Sequence, residues 1–124
     1  MSVLLDSVIL IDHLNGIAAA GDYLRGVKGA HISVITRAEV LAGTPPGEVA
    51  VVTRLLDRYP TLLIDKAIAD LAAELRRVHR WKLPDALQAA VAQIHELKLV
   101  TRNSKDFPPS RYSWVVQPYA LTPK

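Results

Sequence analysis

The sequence predicts an α/β fold with a mostly parallel central sheet of four to five strands flanked by helices in an α/β/α sandwich. Short apolar runs alternate along the chain with longer segments whose apolar residues recur at helical spacing. Half of the 124 residues are apolar and 22% are charged, so a sizeable core is possible and disorder is excluded. Strands that alternate with helices pair in parallel through right-handed crossovers, which place helices on both faces of the sheet. We therefore expect residues 1–124 to form one domain.

Five strands are predicted from apolar runs bounded by polar or turn residues. The first run ends at Asp6, and the fourth ends before the polar loop 102–106. The runs are residues 3–5, 31–35, 62–64, 99–101 and, as a final edge strand, 114–116. Residues 121–124 are expected to form a loose tail.

Six helices are predicted between these strands. Gly16 ends the first, and Pro60 ends the helix that follows the proline-containing turn 43–47. Thr36 is expected to cap the third helix, with Glu39 at the position that completes a capping box. The helical segments are residues 8–14, 18–25, 36 to the turn at 43, 48–59, 67–78 and 84 to about 97.

Charge and composition narrow the class of protein. A formal net charge of +3 and a pI near 9.4 favour an anionic partner. The mean hydropathy of +0.17 is high for a small chain, and apolar residues beyond what one core can hold favour an interface such as a homodimer. The absence of cysteine excludes disulfides and thiolate metal sites. No apolar run is long enough to cross a bilayer, and Asp6 interrupts the start where a signal peptide needs apolar residues, so we expect a cytoplasmic protein without a membrane partner.

Four acids are expected at one edge of the sheet. Asp6 directly follows the first strand, and Asp106 comes shortly after the fourth. Glu39 and Asp85 lie in the opening turns of helices that should begin on the same side. In parallel sheets, ligands bind beyond the carboxyl ends of the strands. An aspartate in a first helical turn also stabilises the helix by about 0.3–1 kcal/mol, so Asp85 alone would indicate no more than a helix start.

Clustered carboxylates need a partner that neutralises them. Two unit charges at a separation of ~4 Å repel by about 4 kcal/mol at an effective dielectric constant of roughly 20, so protons or cations must compensate. Oxygen ligands suit Mg²⁺ or Mn²⁺, which bind carboxylates together with substrate phosphates. One or two such ions can generate hydroxide from water and stabilise both oxygens of a phosphodiester displacement. The pattern therefore indicates metal-assisted hydrolysis of nucleic acid.

Four segments carry a more specific signal. They are, in order, LLDSVILIDHL, ISVITRAEVLAG, KLPDALQAAVA and LVTRNSKDF. Each is moderately specific alone, and their order and spacing together are specific. With these segments the chain resembles the PIN domain ribonucleases and, within them, the VapC toxins of toxin-antitoxin modules. The resemblance covers nearly the whole chain and implies a single PIN-like domain.

The resemblance implies a metal-dependent endoribonuclease, the toxin of a type II toxin-antitoxin module, that hydrolyses phosphodiester bonds in RNA with metal-activated water. Mg²⁺ would be the cofactor, with Mn²⁺ able to substitute. Asp6, Glu39 and Asp85 correspond to the core metal-binding and catalytic acids, and Asp106 to a more variable fourth. A cognate VapB-like antitoxin would inhibit the toxin by laying a helix over an apolar groove, with the toxin as a homodimer or within a higher toxin-antitoxin assembly.

Three further polar residues bear on this site. Ser7 stands where the family has Thr or Ser, a hydroxyl that can orient an acid or a water molecule. Many PIN domains have an aspartate where this chain has Asn103, which is neutral and can hold only a water, so either Asp106 or Asn103 completes the site. Asp12, six residues beyond Asp6, should point away from the site and is expected to be solvated or to cap a helix.

Basic residues near the acids are candidates for RNA binding. Arg102 and Lys105 follow the fourth strand. Arg80 and Lys82 flank Trp81, which could stack on a base while the cations bind phosphates. Much of this second cluster is better explained as a solvated helix end, whose cations favour the helix dipole, so Arg102 and Lys105 rank higher as phosphate contacts.

Other classes fit the sequence less well. In a non-catalytic α/β module that binds RNA or protein, Glu39 and Asp85 would cap helices and Asp6 would end a strand. A zinc protease is excluded because the position four residues after His95, where its second histidine belongs, holds Leu99. A structure-specific DNA nuclease is disfavoured because the chain lacks the long insertions needed to clamp a branched duplex.

Overall fold

A five-stranded parallel sheet lies between two layers of helices in the computed structural model, which describes residues 2–121. The strands are β1 (Val3–Leu5), β2 (Ala30–Ser33), β3 (Thr61–Leu62), β4 (Lys98–Val100) and β5 (Val115–Val116). The helices are α1 (Ser7–Leu14), α2 (Ala18–Gly26), α3 (Val34–Ala42), α4 (Val49–Leu56), α5 (Lys66–His79) and α6 (Leu83–Ile94), with one turn of 3₁₀ helix at Pro46–Glu48. Every strand pairing is parallel, which confirms the predicted α/β class.

The two faces of the sheet have separate cores because successive strand residues point to opposite sides. Leu4 of β1 and Leu99 of β4 pack with α5 and α6, whereas Leu5 and Val100 pack with α1, α3 and α4. The first core includes Ile68, Ala72, Ala89 and Ala90, and the second includes Ile9, Val40, Val52 and Leu56. Both central strands are therefore covered by helices on each side.

The strand order, β3-β2-β1-β4-β5, has a reversal at its centre. From β1 the chain moves outward to β2 and β3, and it then returns to the other side of β1 to form β4 and β5. The backbone N–H of Asp6 donates to the carbonyl of Val100 at 2.9 Å, so the carboxyl ends of β1 and β4 are neighbours. In open α/β sheets, the crevice at such a reversal is the usual ligand site.

The structure corrects the boundary between the second strand and the third helix. β2 ends at Ser33, and the Ser33 side chain caps α3 by accepting the backbone N–H of Thr36 at 3.3 Å. The prediction that Thr36 caps this helix is wrong, because the β-branched residues Val34 and Ile35 read as strand but begin the helix. Glu39 is consequently in the second turn of α3, at neither a capping-box position nor the opening turn.

Other element boundaries shift by a few residues. β3 and β4 each begin one residue earlier than predicted. α6 ends at Ile94 because Glu96 adopts a left-handed φ of 55°. The N–H of Glu96 then donates to Gln93 O at 3.2 Å and that of Leu97 to Ala92 O at 2.8 Å, which closes the helix in a Schellman motif.

The C-terminal end of the chain is only partly described. Leu121 is exposed, and residues 122–124 of the predicted loose tail lie outside the described residues. Between residues 2 and 121, no helix has the length and apolar character needed to span a membrane.

Candidate metal centre

Asp6 is a buried carboxylate at the reversal of the sheet. Its relative exposure is 7%, and its Oδ1 accepts the backbone N–H of Ser7 at 2.8 Å as the cap of α1. Its Oδ2 accepts the hydroxyl of Thr101, directly after β4, at 2.7 Å. With a weaker contact from Gln88 Nε2 to Oδ1 at 3.4 Å, three of the roughly four acceptor positions of the carboxylate are used, and about one is left for a cation.

Asp85 lies in the first turn of α6, where its surroundings disfavour ionisation. The pKa of Asp85 is raised from 3.8 to about 6, with burial as the largest cause. The charges of Asp6, Asp106 and Glu39 contribute to this increase, in that order, and Lys82 opposes it. Like charges shift a pKa only at short range, because water and salt screen distant charges. The four predicted acids are therefore electrostatic neighbours.

Glu39 is the most exposed of the four acids. It lines a cleft of about 360 Å³ together with apolar side chains of α1 and α3, among them Ile11, Leu14 and Val40. Glu48 lies in the wall of the same cleft. The acids therefore extend from the buried Asp6 outward to an apolar cleft.

Asp106 is held in place by both its side chain and its backbone. Asn103 Nδ2 donates to Asp106 Oδ2 at 3.1 Å, and the Asp106 N–H donates to Asn103 Oδ1 at 3.3 Å. Trp81 Nε1 donates to the carbonyl of Asp106 at 3.1 Å. Asn103 thus supports Asp106 directly, whereas the sequence indicated that one or the other would complete the site.

The structure contradicts the expectation that Asp12 is solvated. Asp12 is 5% exposed and accepts Arg102 Nε at 2.8 Å, Arg102 Nη2 at 2.9 Å and the Tyr119 hydroxyl at 2.8 Å. The bonds from Arg102 are the largest cause that lowers the pKa of Asp12, against burial, which raises it. Two donors of Arg102 are thereby committed to holding the loop after β4 against α1.

The expectation that Trp81 stacks on a base is wrong, because its ring belongs to the core. Trp81 is 4% exposed, stacks on His79 with ring centroids 4.1 Å apart, and packs against Phe107 at 4.7 Å. The predicted cations Arg80 and Lys82 are exposed on either side of it. Lys105 is also exposed, and it lines a cleft of about 260 Å³ with Asp106, His79, Arg111 and Tyr112.

Comparison with known families decides the assignment. A sequence model described as the PIN domain matches residues 3–108, which include all four acids. The chain belongs to the PIN domain family.

Relatives of this PIN domain agree with its fold. Ribonuclease VapC10 of Mycobacterium tuberculosis is 37% identical over 114 residues, covering 86% of this chain and 86% of that protein. A toxin-antitoxin complex from Klebsiella pneumoniae contains a chain with a TM-score of 0.87 and 38% identity, covering 97% of this PIN domain and 100% of that chain. FitAcB from Neisseria gonorrhoeae shares the fold, with a TM-score of 0.76 and 21% identity. The match covers 94% of this chain and 97% of the FitAcB chain.

The chemistry of the acids in this PIN domain fits a hard divalent cation. All the donors in this group are oxygens, which hard divalent cations prefer. The raised pKa of Asp85 indicates that its negative charge is unfavourable until a cation compensates it. Within residues 2–121, however, no three His, Asp or Glu side chains are already arranged as a metal-holding group. The charges of Asp6, Glu39 and Asp106 act on Asp85, but the four carboxylates are not assembled around a single position for an ion. A shared ion for Asp6, Glu39 and Asp85 therefore stays a prediction.

Sequence reasoning missed the buried polar contacts behind the acids of this PIN domain. The side chains that make them are those of Ser33, Thr36, Gln88 and Thr101, each at most 1% exposed. Gln88 could have been found, because it is the one polar residue in the apolar run Ala86–Ala92 and follows Asp85 by one helical turn. Thr101 was assigned to the fourth strand, and nothing in the local pattern pairs it with Asp6.

Proposed function

We propose that this PIN domain is the toxin of a type II toxin-antitoxin module and acts as a divalent-metal-dependent endoribonuclease in the cytoplasm. The observation that carries the proposal is the raised pKa of Asp85 beside three further acids at the reversal of the sheet. Similarity to a protein named as a ribonuclease, and to a chain of a toxin-antitoxin complex, supports the same reaction and biological role. RNA is the proposed substrate.

Asp6, Glu39, Asp85 and Asp106 would hold Mg²⁺, for which Mn²⁺ could substitute. When bound, the ion supplies Lewis-acid activation of water and neutralises charge on the phosphodiester. Asp6 is oriented by donors from Ser7 and Thr101. Hydrogen bonds from Asn103 and Trp81 hold Asp106 in its position. These contacts restrict the conformations of Asp6 and Asp106, which lowers the entropic cost of bringing them onto an ion.

The proposed RNA path runs along the cleft that Asp106 shares with Lys105, His79 and Arg111. Positive groups beside the acids attract the phosphates that flank the bond to be cut. The other predicted contacts with RNA are Arg80, Lys82 and Arg102. Binding of single-stranded RNA, measured at several salt concentrations, checks this path. Lys105→Ala should reduce the slope of log affinity against log salt by about 0.7, whereas Lys28→Ala, at the opposite edge of the sheet before β2, should leave it unchanged.

The test of the proposed reaction is cleavage of single-stranded RNA by the free protein with Mg²⁺ and with EDTA. We expect EDTA to abolish cleavage and Asp6→Asn to reduce it by about 100-fold or more, because one carboxylate supplies both charge and ligation. Asp70→Asn, which changes an exposed carboxylate on α5, is the matched control and should cleave normally. Cleavage that survives both EDTA and Asp6→Asn would refute the mechanism. Absence of saturable Mn²⁺ binding would favour a non-catalytic binding module.

The proposed antitoxin site is the cleft between α1, α3 and α4. Ile11, Leu14 and Val49 around it are exposed apolar side chains, and Glu39 and Glu48 lie in its wall. An amphipathic antitoxin helix carrying a basic residue matches both properties, and its basic group would lie beside the acids. Co-purification in a stable complex with the product of the reading frame upstream checks this partner.

The toxin is also proposed to form a homodimer, alone or within a larger toxin-antitoxin assembly. Leu63 is 71% exposed and lies in the wall of neither the antitoxin cleft nor the proposed RNA path, which supports a further apolar contact between chains. Light scattering of the free protein should give the mass of two chains.

A further inference from the structure

Gln88 is a fully buried amide in the middle of an apolar helix face. Its relative exposure is 1%, and the neighbouring residues Ala86, Ala89 and Ala90 are completely buried. A buried amide destabilises a protein unless its donors and acceptor are paired. The contacts of Gln88 therefore explain how this helix accommodates it.

The amide of Gln88 contacts three different segments of the chain. Its Oε1 accepts the hydroxyl of Ser33 at 2.6 Å. Its Nε2 donates to Thr36 Oγ1 at 2.7 Å and, more weakly, to Asp6 Oδ1 at 3.4 Å. The Thr36 hydroxyl in turn donates to the carbonyl of Leu5, the last residue of β1, at 3.2 Å. One side chain thus links α6, the start of α3 and the end of β1.

These are the segments that carry the core acids. Asp85 is three residues before Gln88 on α6, and Glu39 is three residues after Thr36 on α3. Residues three apart lie on the same face of a helix. Gln88 contacts the third acid, Asp6, directly. Movement of any one of these segments would break a bond to the Gln88 amide.

We infer that Gln88 is a positioning residue that fixes the relative placement of Asp6, Glu39 and Asp85 and thereby sets the affinity of the centre for a divalent ion. The inference rests on the proposed metal-dependent function. Gln88 does not ligate the ion or contact the substrate, and its effect is transmitted through the carboxylates. Outer residues that orient metal ligands typically change metal affinity by about 10- to 100-fold when they are replaced.

The test compares Mn²⁺ binding by calorimetry in three types of variant. Gln88→Leu keeps most of the side-chain volume and removes the amide, so we expect Mn²⁺ affinity to fall by about 10- to 100-fold. Thr36→Val keeps the side-chain shape and removes the hydroxyl between Gln88 and Leu5, so it should also weaken Mn²⁺ binding. This variant replaces Gln88→Leu in the test if Gln88→Leu does not fold. Ile68→Val and Ile68→Ala, at a buried position on α5, are controls that lower stability without removing a hydrogen bond of the network.

Kinetics provide a second measurement. The Mg²⁺ concentration for half-maximal RNA cleavage should rise in Gln88→Leu about as much as Mn²⁺ affinity falls, with a smaller change in kcat at saturating Mg²⁺. Mn²⁺ affinity of Gln88→Leu within about twofold of the unsubstituted protein, or an equal loss in the Ile68 controls, would overturn the inference. Absence of saturable Mn²⁺ binding by the unsubstituted protein would instead defeat the proposed function and this inference with it.

Discussion

Asp85→Asn is expected to stabilise the metal-free protein above pH 6 and to abolish RNA cleavage. Folding raises the pKa of Asp85 from 3.8 to about 6, so the folded state binds this proton more tightly than the unfolded state. The associated stabilisation is fully present below about pH 4 and is lost as the pH rises through about 6. Above that pH, the ionised carboxylate costs about 1–2 kcal/mol, after allowance for screening by water. Asparagine has the same shape and no charge, so it avoids this cost.

Melting temperatures in EDTA at pH 5 and pH 7.5 check the stability part, and RNA cleavage with Mg²⁺ checks the activity part. The stabilisation should be greatest at pH 7.5 and about half as large at pH 5, because the unfolded-state carboxyl is still ionised there. Cleavage should fall by about 100-fold or more. Asp70→Asn should change neither quantity. A lower melting temperature of Asp85→Asn in EDTA at pH 7.5 would contradict the prediction, because it would mean that the ionised carboxylate is stabilised by its surroundings.

Asp12→Ala is expected to lower the free energy of unfolding by about 2–4 kcal/mol. The substitution removes a buried acceptor and leaves the Arg102 guanidinium and the Tyr119 hydroxyl without their bonds. Because the folded-state pKa of Asp12 is lowered, its contribution is present above about pH 4 and is lost as the pH falls through its folded pKa. RNA cleavage should also fall, since Arg102 anchors the loop that carries Asp106.

Urea denaturation at pH 7 measures this effect, and Tyr119→Phe provides the graded comparison. Tyr119→Phe removes one of the three bonds and leaves the ion pair, so a loss of about 1 kcal/mol is expected. The prediction fails if Asp12→Ala costs no more than Tyr119→Phe, because the ion pair would then contribute nothing.

The fold was largely predictable because the spacing of apolar residues along the chain identifies buried strands and helices. The apolar run Val3–Leu5 and the helical spacing that follows it gave the first strand and helix at their observed positions. The error at Val34 and Ile35 arose because β-branched residues suit a strand locally, whereas the Ser33 cap depends on three-dimensional packing. Local patterns therefore found the elements and misplaced several of their boundaries by a few residues, among them the one between β2 and α3.

The site was predictable only in its acids. Their placement follows from strand ends and helix starts, which the chain encodes locally. The contacts that hold them are long-range: Gln88 bonds to Asp6 across 82 residues, and Arg102 bonds to Asp12 across 90. Periodicity indicates which residues are buried, but it does not indicate which residues they contact. No local pattern pairs Asp12 with Arg102, so Asp12 was expected to be solvated or to cap a helix.

The reversal in the strand order also affects the biosynthesis of the protein. Asp6 and Glu39 come from the first half of the chain, and Asp85 and Asp106 come from the second. A nascent chain interrupted before residue 85 carries at most two of the four acids and lacks β4, which supplies the neighbour of β1. Truncated translation products would therefore lack the proposed metal centre, and the proposed nuclease activity would require the second half to have left the ribosome and folded beside the first.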